Sequence, residues 1–314
     1  METVKFNKEF FLVKFPIIFP LIYAFFLYQF PNFETQLIII TILLLAETHF
    51  GATWPFFLDK VNYKFIQENK INLVFIPILI IFLCLLGFFL ITNIFYLIFF
   101  AANMYHVTRQ SFGVSKLYCK NITENTVQTF MIYFFNIIFF VVGFFRFFVN
   151  IIDDNIFFEL NMIILLILFI SFIYYLIRFG FSENFLTFVT GCLIFYPICF
   201  VSNPVHAIIM GVTMHYTQYL YLTYNVCNAR KSSFVEKKHS FLNNKFSNYF
   251  VIIIIYSAIM TFFSIFGKNE TQLQYLIIIP IIGQMLHFYL DSQLWKFSQK
   301  HNRDNTLMHL NNLN

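Results

Sequence analysis

The sequence predicts an all-α protein: a polytopic bundle of about ten transmembrane helices with both termini in the cytoplasm. Three observations predict it. First, 59% of the 314 residues are hydrophobic, only 11% are charged and mean hydropathy is +0.72, more apolar surface than a water-soluble core can use. Second, the apolar residues fall in long runs, and about 18 or more in succession is the length a helix needs to cross the hydrocarbon layer. Lipid requires every backbone group to be satisfied internally, so spans are helices or closed barrels. These runs are too continuous for the alternation of barrel strands. Third, the basic residues are asymmetric. With ten spans, eighteen of the twenty Lys and Arg fall on the side of the N-terminus and two, Arg146 and Lys268, on the other. Merging or splitting one span would scramble that separation, which the positive-inside rule assigns to the cytoplasm.

The spans read, in order, as 12–30, 36–58, 71–91, 93–115, 126–149, 156–180, 184–201, 204–227, 247–267 and 271–296. The first 30 residues carry Glu2, Lys5, Lys8, Glu9 and Lys14 before an apolar run and lack a small-residue cleavage site, so the first reads as an uncleaved span. Thr92 and Asn93 in "LITNIF" mark the turn between the third and fourth. In "VSNPV", Asn203 caps the eighth and Pro204 occupies its first turn. No soluble domain separates from this pattern, and 1–314 reads as a single integral-membrane domain. Its longest polar stretch, about 228–246, is a basic loop. The net charge of +5 forms no clustered basic face, which argues against a nucleic-acid partner and leaves the bilayer. Five Cys without CxxC spacing indicate neither a disulfide framework nor a zinc site.

The eight His divide by position. His239, His301 and His309 fall in loop or tail, and His206 at the outer start of the eighth span. His49, His106, His215 and His287 lie inside the second, fourth, eighth and tenth spans, all of which run toward the cytoplasm. The next loop cation follows each after 9 to 15 residues, roughly 14–22 Å of helix, so the four imidazoles share one layer. Each has a polar neighbour: Glu47 and Thr48 precede His49, Arg109 and Gln110 follow His106, Gln218 and Tyr219 follow His215, and Asp291 follows His287. Those at i+3 and i+4 share the face of their His. Ionisable groups within spans face the bundle interior and pair with one another. Arg109 is expected either to pair with Asp291 or Glu47 or to reach the cytoplasmic headgroups. Trp54 and Trp295 read as an aromatic belt.

A single His in a span commonly bonds a neighbouring helix. Four at one depth point instead to a shared polar site in which His49, His106, His215 and His287 ligate a metal. Asp291, Glu47, Arg109, Gln110, Gln218 and Tyr219 then surround and orient them. Imidazole and carboxylate with open positions suit non-haem iron, with zinc, copper and manganese as alternatives.

"THFGA" at 48–52 and "HFYLD" at 287–291 resemble motifs of the Brp/Blh-type bacterial β-carotene dioxygenases. That family is polytopic, its intramembrane His residues are thought to hold iron, and it cleaves a carotenoid with oxygen. His49, His287 and Asp291 match its motifs in spacing, and His215 lies about where another ligand belongs. Tyr219 stands where a second His is expected at i+4, no early Pro-His-Gly occurs, and His106 has no counterpart. The resemblance therefore implies a metal-bearing membrane site rather than a carotenoid substrate. The expected function is a metal-dependent oxidoreductase or oxygenase acting on a lipid or isoprenoid in a bacterial inner membrane. Two other classes fit the same residues: a transporter using buried His and Asp as a proton or ion site, and a b-type haem protein.

The charge asymmetry makes a direct prediction. A topology reporter fused after Lys237 is expected in the cytoplasm and one inserted near Lys268 outside. Both on one side would contradict the ninth span.

Overall fold

The computed structural model of the chain describes residues 6–119, 121–149, 154–232, 246–269 and 274–310. Among these residues every element is helical and no strand occurs. The helices are α1 (Ile18–Gln29), α2 (Pro31–Phe57), α3 (Lys60–Glu68), α4 (Ile71–Leu90), α5 (Thr92–Tyr118), α6 (Ile122–Val149), α7 (Asp154–Phe179), α8 (Glu183–Leu193), α9 (Pro204–Ser232), α10 (Phe246–Asn269) and α11 (Gln274–Leu294). Short helical turns follow over 300–310. The basic loop at 228–246, with His239, lies largely outside the described residues.

Among the described residues six helices, α2, α4, α6, α7, α10 and α11, are long and apolar enough to cross a membrane. Only 17% of the α4 span and 11% of the α7 span are buried, and Phe82, Leu83, Phe169 and Ile170 point outward. Contiguous apolar surface on that scale suits lipid better than water. The other four expected spans differ for two reasons. α5 and α9 have the length, at 27 and 29 residues, but their apolar character is diluted by polar side chains around His106 and His215. α1 and α8 have only 12 and 11 residues. That is about 18 and 16 Å of helix, against a hydrocarbon layer of about 30 Å. Phe15 and Phe30 leave the helical conformation on either side of α1, and a 3₁₀ turn containing Pro197 follows α8.

The expected breaks occur. Ile91, at φ −140° and ψ 49°, separates α4 from α5. The Asn203 carboxamide oxygen accepts from the amide nitrogens of Val205 (2.9 Å) and His206 (3.4 Å), capping α9. Gly180 closes α7 in the left-handed region, φ 80°, where its amide reaches the carbonyl of Leu176 at 2.9 Å.

The chain divides into two compact units, the first made of 1–38 and 104–218, the second of 39–103 and 219–314. In the first, Lys14 is buried. Its ammonium lies 2.5 Å from Glu183 and 4.0 Å from Glu9, and Tyr118 donates to Glu9 at 2.6 Å. Paired in this way, a buried charge is retained at a tolerable desolvation cost. The Arg146 guanidinium serves carbonyl groups of the buried turn after α8, donating to Ile198 at 2.7 Å and Val201 at 2.8 Å. Gly211 on α9 lies against the carbonyl of Ile194 so closely that a Cβ could not be placed there.

In the second unit, Cys84, Phe88 and Phe95 pack with Ile278 and Ile281. α2 meets α10 where the Tyr256 ring lies over Gly51. A π-helical turn, Ile42–Ala46, interrupts α2 just before Glu47. Ser257 donates to the carbonyl of Leu43, and Thr48 to those of Leu44 (2.7 Å) and Leu45 (3.0 Å), so hydroxyls satisfy the carbonyls of the widened turn.

The segment 300–310 is strapped beneath this unit. His301 stacks flat on Phe65, with centroids 4.3 Å apart, and its Nε2 reaches the Asn62 side-chain oxygen at 2.9 Å. Arg230 donates to the carbonyl of Asn305 and to the Thr306 hydroxyl, both at 2.8 Å. Burial and then the Arg230 charge push the His301 pKa down, against an opposing pull from Glu68 and Asp304. His309 is lowered by burial and Arg230 in the same way, against Asp59. The folded chain thus holds these protons less tightly than the unfolded chain. The strap's stability is present above the ordinary His range and is lost as pH falls through it. The protection factors of the amides over 300–310, corrected for the slower intrinsic exchange at low pH, are expected to fall between about pH 7.5 and about pH 5.5. Protection that is unchanged or greater at the lower pH would contradict this.

Candidate metal centre

α2, α9 and α11 of the second unit bring one polar cluster together in an apolar interior. His49 on α2, with His287 and Asp291 on α11, are 1%, 1% and 2% exposed. The two imidazoles meet edge to face, centroids 4.4 Å apart at 71°, and a ring nitrogen of each lies within 4.8 Å of the other's. Tyr219 on α9 packs its ring against both, 4.7 Å from His49 and 5.2 Å from His287. Helical spacing explains the convergence: His287 and Asp291 are one turn apart on one face of α11.

The carboxylate is held by hydroxyls. Tyr219 donates to Asp291 Oδ1 at 2.6 Å, and Thr53 approaches the same oxygen at 3.4 Å. Thr53 Oγ1 also lies 2.6 Å from His287 Nδ1 and 3.0 Å from the Tyr219 phenol. Asp291 Oδ2 faces His287 Nε2 across 3.7 Å, beyond hydrogen-bond distance. Below the cluster, Trp295 stacks on Phe56 at 5.4 Å and lies 6.0 Å from Tyr219. Trp295 thus packs into the base of the site, where the sequence suggests only a belt residue.

Glu47 sits one turn from Gly51 on α2, 1% exposed, and accepts from the Gln284 amide at 3.1 Å. Its other oxygen has no hydrogen-bond partner among the described residues.

The remaining predicted residues lie in the first unit. His106 on α5 and His215 on α9 are 7% and 1% exposed, and their rings meet edge to face at 5.5 Å. The Gln218 amide donates to the carbonyl of Val13 at 2.7 Å. Gln110 is half-buried and Arg109 is exposed. His206, expected at the start of α9, is buried there, with Nδ1 2.6 Å from the Tyr23 phenol and Nε2 3.0 Å from Glu34. That second contact does not meet hydrogen-bond geometry.

Within the second unit His49 meets His287, and within the first His106 meets His215. Thr53 is the functional residue that the sequence reading misses. Its signal is positional: it follows His49 by four residues and so shares its face.

A comparison with known protein families, with curated proteins and with solved structures finds no match.

Tyr219→Phe removes the shortest donor to a buried carboxylate. It is expected to destabilise the protein by about 1–3 kcal/mol, measured by thermal unfolding in detergent. An unchanged midpoint would mean that Asp291 does not depend on the phenol.

Proposed function

We propose that the chain is an integral-membrane, metal-dependent oxidoreductase of the oxygenase type that acts on a lipid-soluble substrate, a lipid or an isoprenoid. The observation that carries this reading is the buried apposition of His49 and His287 beside the Asp291 carboxylate. Imidazole and carboxylate together favour a first-row metal with open positions, and non-haem iron suits that donor set best. Rings 4.4 Å apart leave no room for a porphyrin between them, which speaks for a non-haem ion at this pair. His106 and His215 enter the proposal as further nitrogen ligands, because the sequence places them on spans of the same direction and at similar depth. A site reached from within the bilayer makes an apolar substrate natural, and Phe50 and Phe288 line the helices around His287.

The same proposal takes the chain through the bilayer about ten times, with both termini in the cytoplasm of a bacterium. α1 and α8 would complete their crossings with the apolar residues that flank them. The wide apolar faces of α4 and α7 support a lipid environment.

Metal analysis with an absorption spectrum tests the reading. Detergent-purified protein is expected to retain iron without a Soret band. His287→Ala is expected to lose the metal, whereas Asp291→Asn retains part of it, with affinity lowered about 10–100-fold. Equal metal content in the wild type and in folded His287→Ala would contradict the proposal and return the site to packing or proton-relay chemistry.

A further inference from the structure

We infer that Glu47 and Tyr256 form a binding site for the hydroxyl group of a lipid-soluble alcohol that enters from the bilayer. The inference deepens the proposed function by naming the polar end of its substrate, and it rests on that reading for the chemistry. The binding itself follows from two buried polar groups that the protein leaves unsatisfied.

Both groups belong to the second unit, where α10 packs against α2 and α11. The Tyr256 side chain leaves α10 and crosses two glycines. Its ring lies on Gly51 of α2, where an added Cβ would stand 2.9 Å from it, and its hydroxyl reaches Gly283 of α11, where a Cβ would collide with it. The next residue, Gln284, donates its amide to Glu47 Oε1 at 3.1 Å, so Glu47 stands at the same level of the contact between α2 and α11. Glu47 and Tyr256 are close enough to interact electrostatically. Glu47 is 1% exposed, and neither its Oε2 nor the Tyr256 hydroxyl has a hydrogen-bond partner among the described residues. The Trp54 indole lies nearby, ring centroids 6.5 Å apart, without hydrogen-bonding the phenol.

Folded proteins pair nearly all their buried polar groups, because an unpaired one has given up water for nothing. The two here are complementary. A carboxyl oxygen accepts, and a phenol has a proton to donate. A ligand that satisfies both must donate one hydrogen bond and accept one. An alcohol hydroxyl does this. An ammonium group only donates and leaves the phenol proton unplaced, and a hydrocarbon does neither. Access is from the membrane: Tyr256, Gln284 and Trp54 are half-buried, and Ile255 and Ile259 beside Tyr256 on α10 are exposed. Gln284 precedes His287 by three residues on α11, about 4.5 Å of helix. A hydroxyl held by Glu47 and Tyr256 therefore sets the carbons next to it beside His49 and His287.

An ordered water offers the same two hydrogen bonds, and comparing an alcohol with its hydrocarbon separates the two occupants. Equilibrium binding of geranylgeraniol, and of the hydrocarbon in which hydrogen replaces its hydroxyl, is measured on the whole chain as purified, in lipid nanodiscs. The wild type is expected to bind the alcohol about 10–100-fold more tightly than the hydrocarbon. Tyr256→Phe keeps the ring over Gly51, and Glu47→Met keeps the length of the side chain. Each should reduce that preference about 10-fold and leave hydrocarbon binding unchanged. Tyr256→Phe removes a group that is unsatisfied in the empty protein, so it should not lower the thermal midpoint measured without ligand. Equal affinity of the wild type for the two probes, or an undiminished preference in both variants, assigns the spot to water and overturns the inference. A lowered midpoint in ligand-free Tyr256→Phe also overturns it, because the phenol would then have a partner already. Metal analysis of the same preparation separates the two readings. Protein that prefers the alcohol but holds no iron overturns the metal reading and leaves the alcohol site standing, whereas iron-bearing protein without the preference overturns only the inference.

Discussion

The burial of the Asp291 carboxylate is the constraint on which the second unit depends. A carboxylate that is 2% exposed among apolar helices has lost its water, and without partners that loss costs several kcal/mol. Its hydrogen bonds come from two other helices: the Tyr219 phenol from α9 and the Thr53 hydroxyl from α2. Satisfying one carboxylate therefore locks three helices together at one depth. His49 and His287 are carried to the same place because each is one helical turn from a member of that network.

α2 reaches this point only by breaking its own regularity. The π-helical turn at Ile42–Ala46 adds a residue to one turn and rotates everything beyond it. Glu47, His49, Thr53 and Phe56 all follow that rotation. Ser257 and Thr48 bond the carbonyl groups of the widened turn, so the irregularity leaves them satisfied inside the apolar interior. Gly51 then admits the Tyr256 ring, where a side chain on residue 51 would press on it. Irregular backbone, close packing and site geometry are consequences of the same few residues. One turn beyond His215, the Tyr219 phenol serves the Asp291 carboxylate.

Much of this was legible from one sequence, because membrane spans and helix faces are periodic properties. Apolar run length located the six long helices, Asn203 with Pro204 marked the start of α9, and the i,i+4 spacing put His287 and Asp291 on one buried face. What escaped depends on partners from distant segments. Thr53 is an ordinary small polar residue in its own helix and becomes significant only beside Tyr219 and Asp291, 166 and 238 residues away. Lys14 counts in sequence only toward the charge asymmetry, and its buried partner Glu183 is 169 residues on. Run length also overstates α1 and α8, since apolar residues continue through turns at Phe15, Phe30 and Pro197 that hydropathy does not register.

X-ray absorption at the metal edge of the purified, metal-loaded protein tests the central claim most directly. The account predicts a first shell of nitrogen and oxygen only, with the outer scattering of at least two imidazoles and one carboxylate oxygen. The five Cys are all buried and free, so a thiolate site is a real competitor. Sulfur in the first shell, or a shell with a single imidazole, would contradict the claim that His49 and His287 meet in order to share an ion.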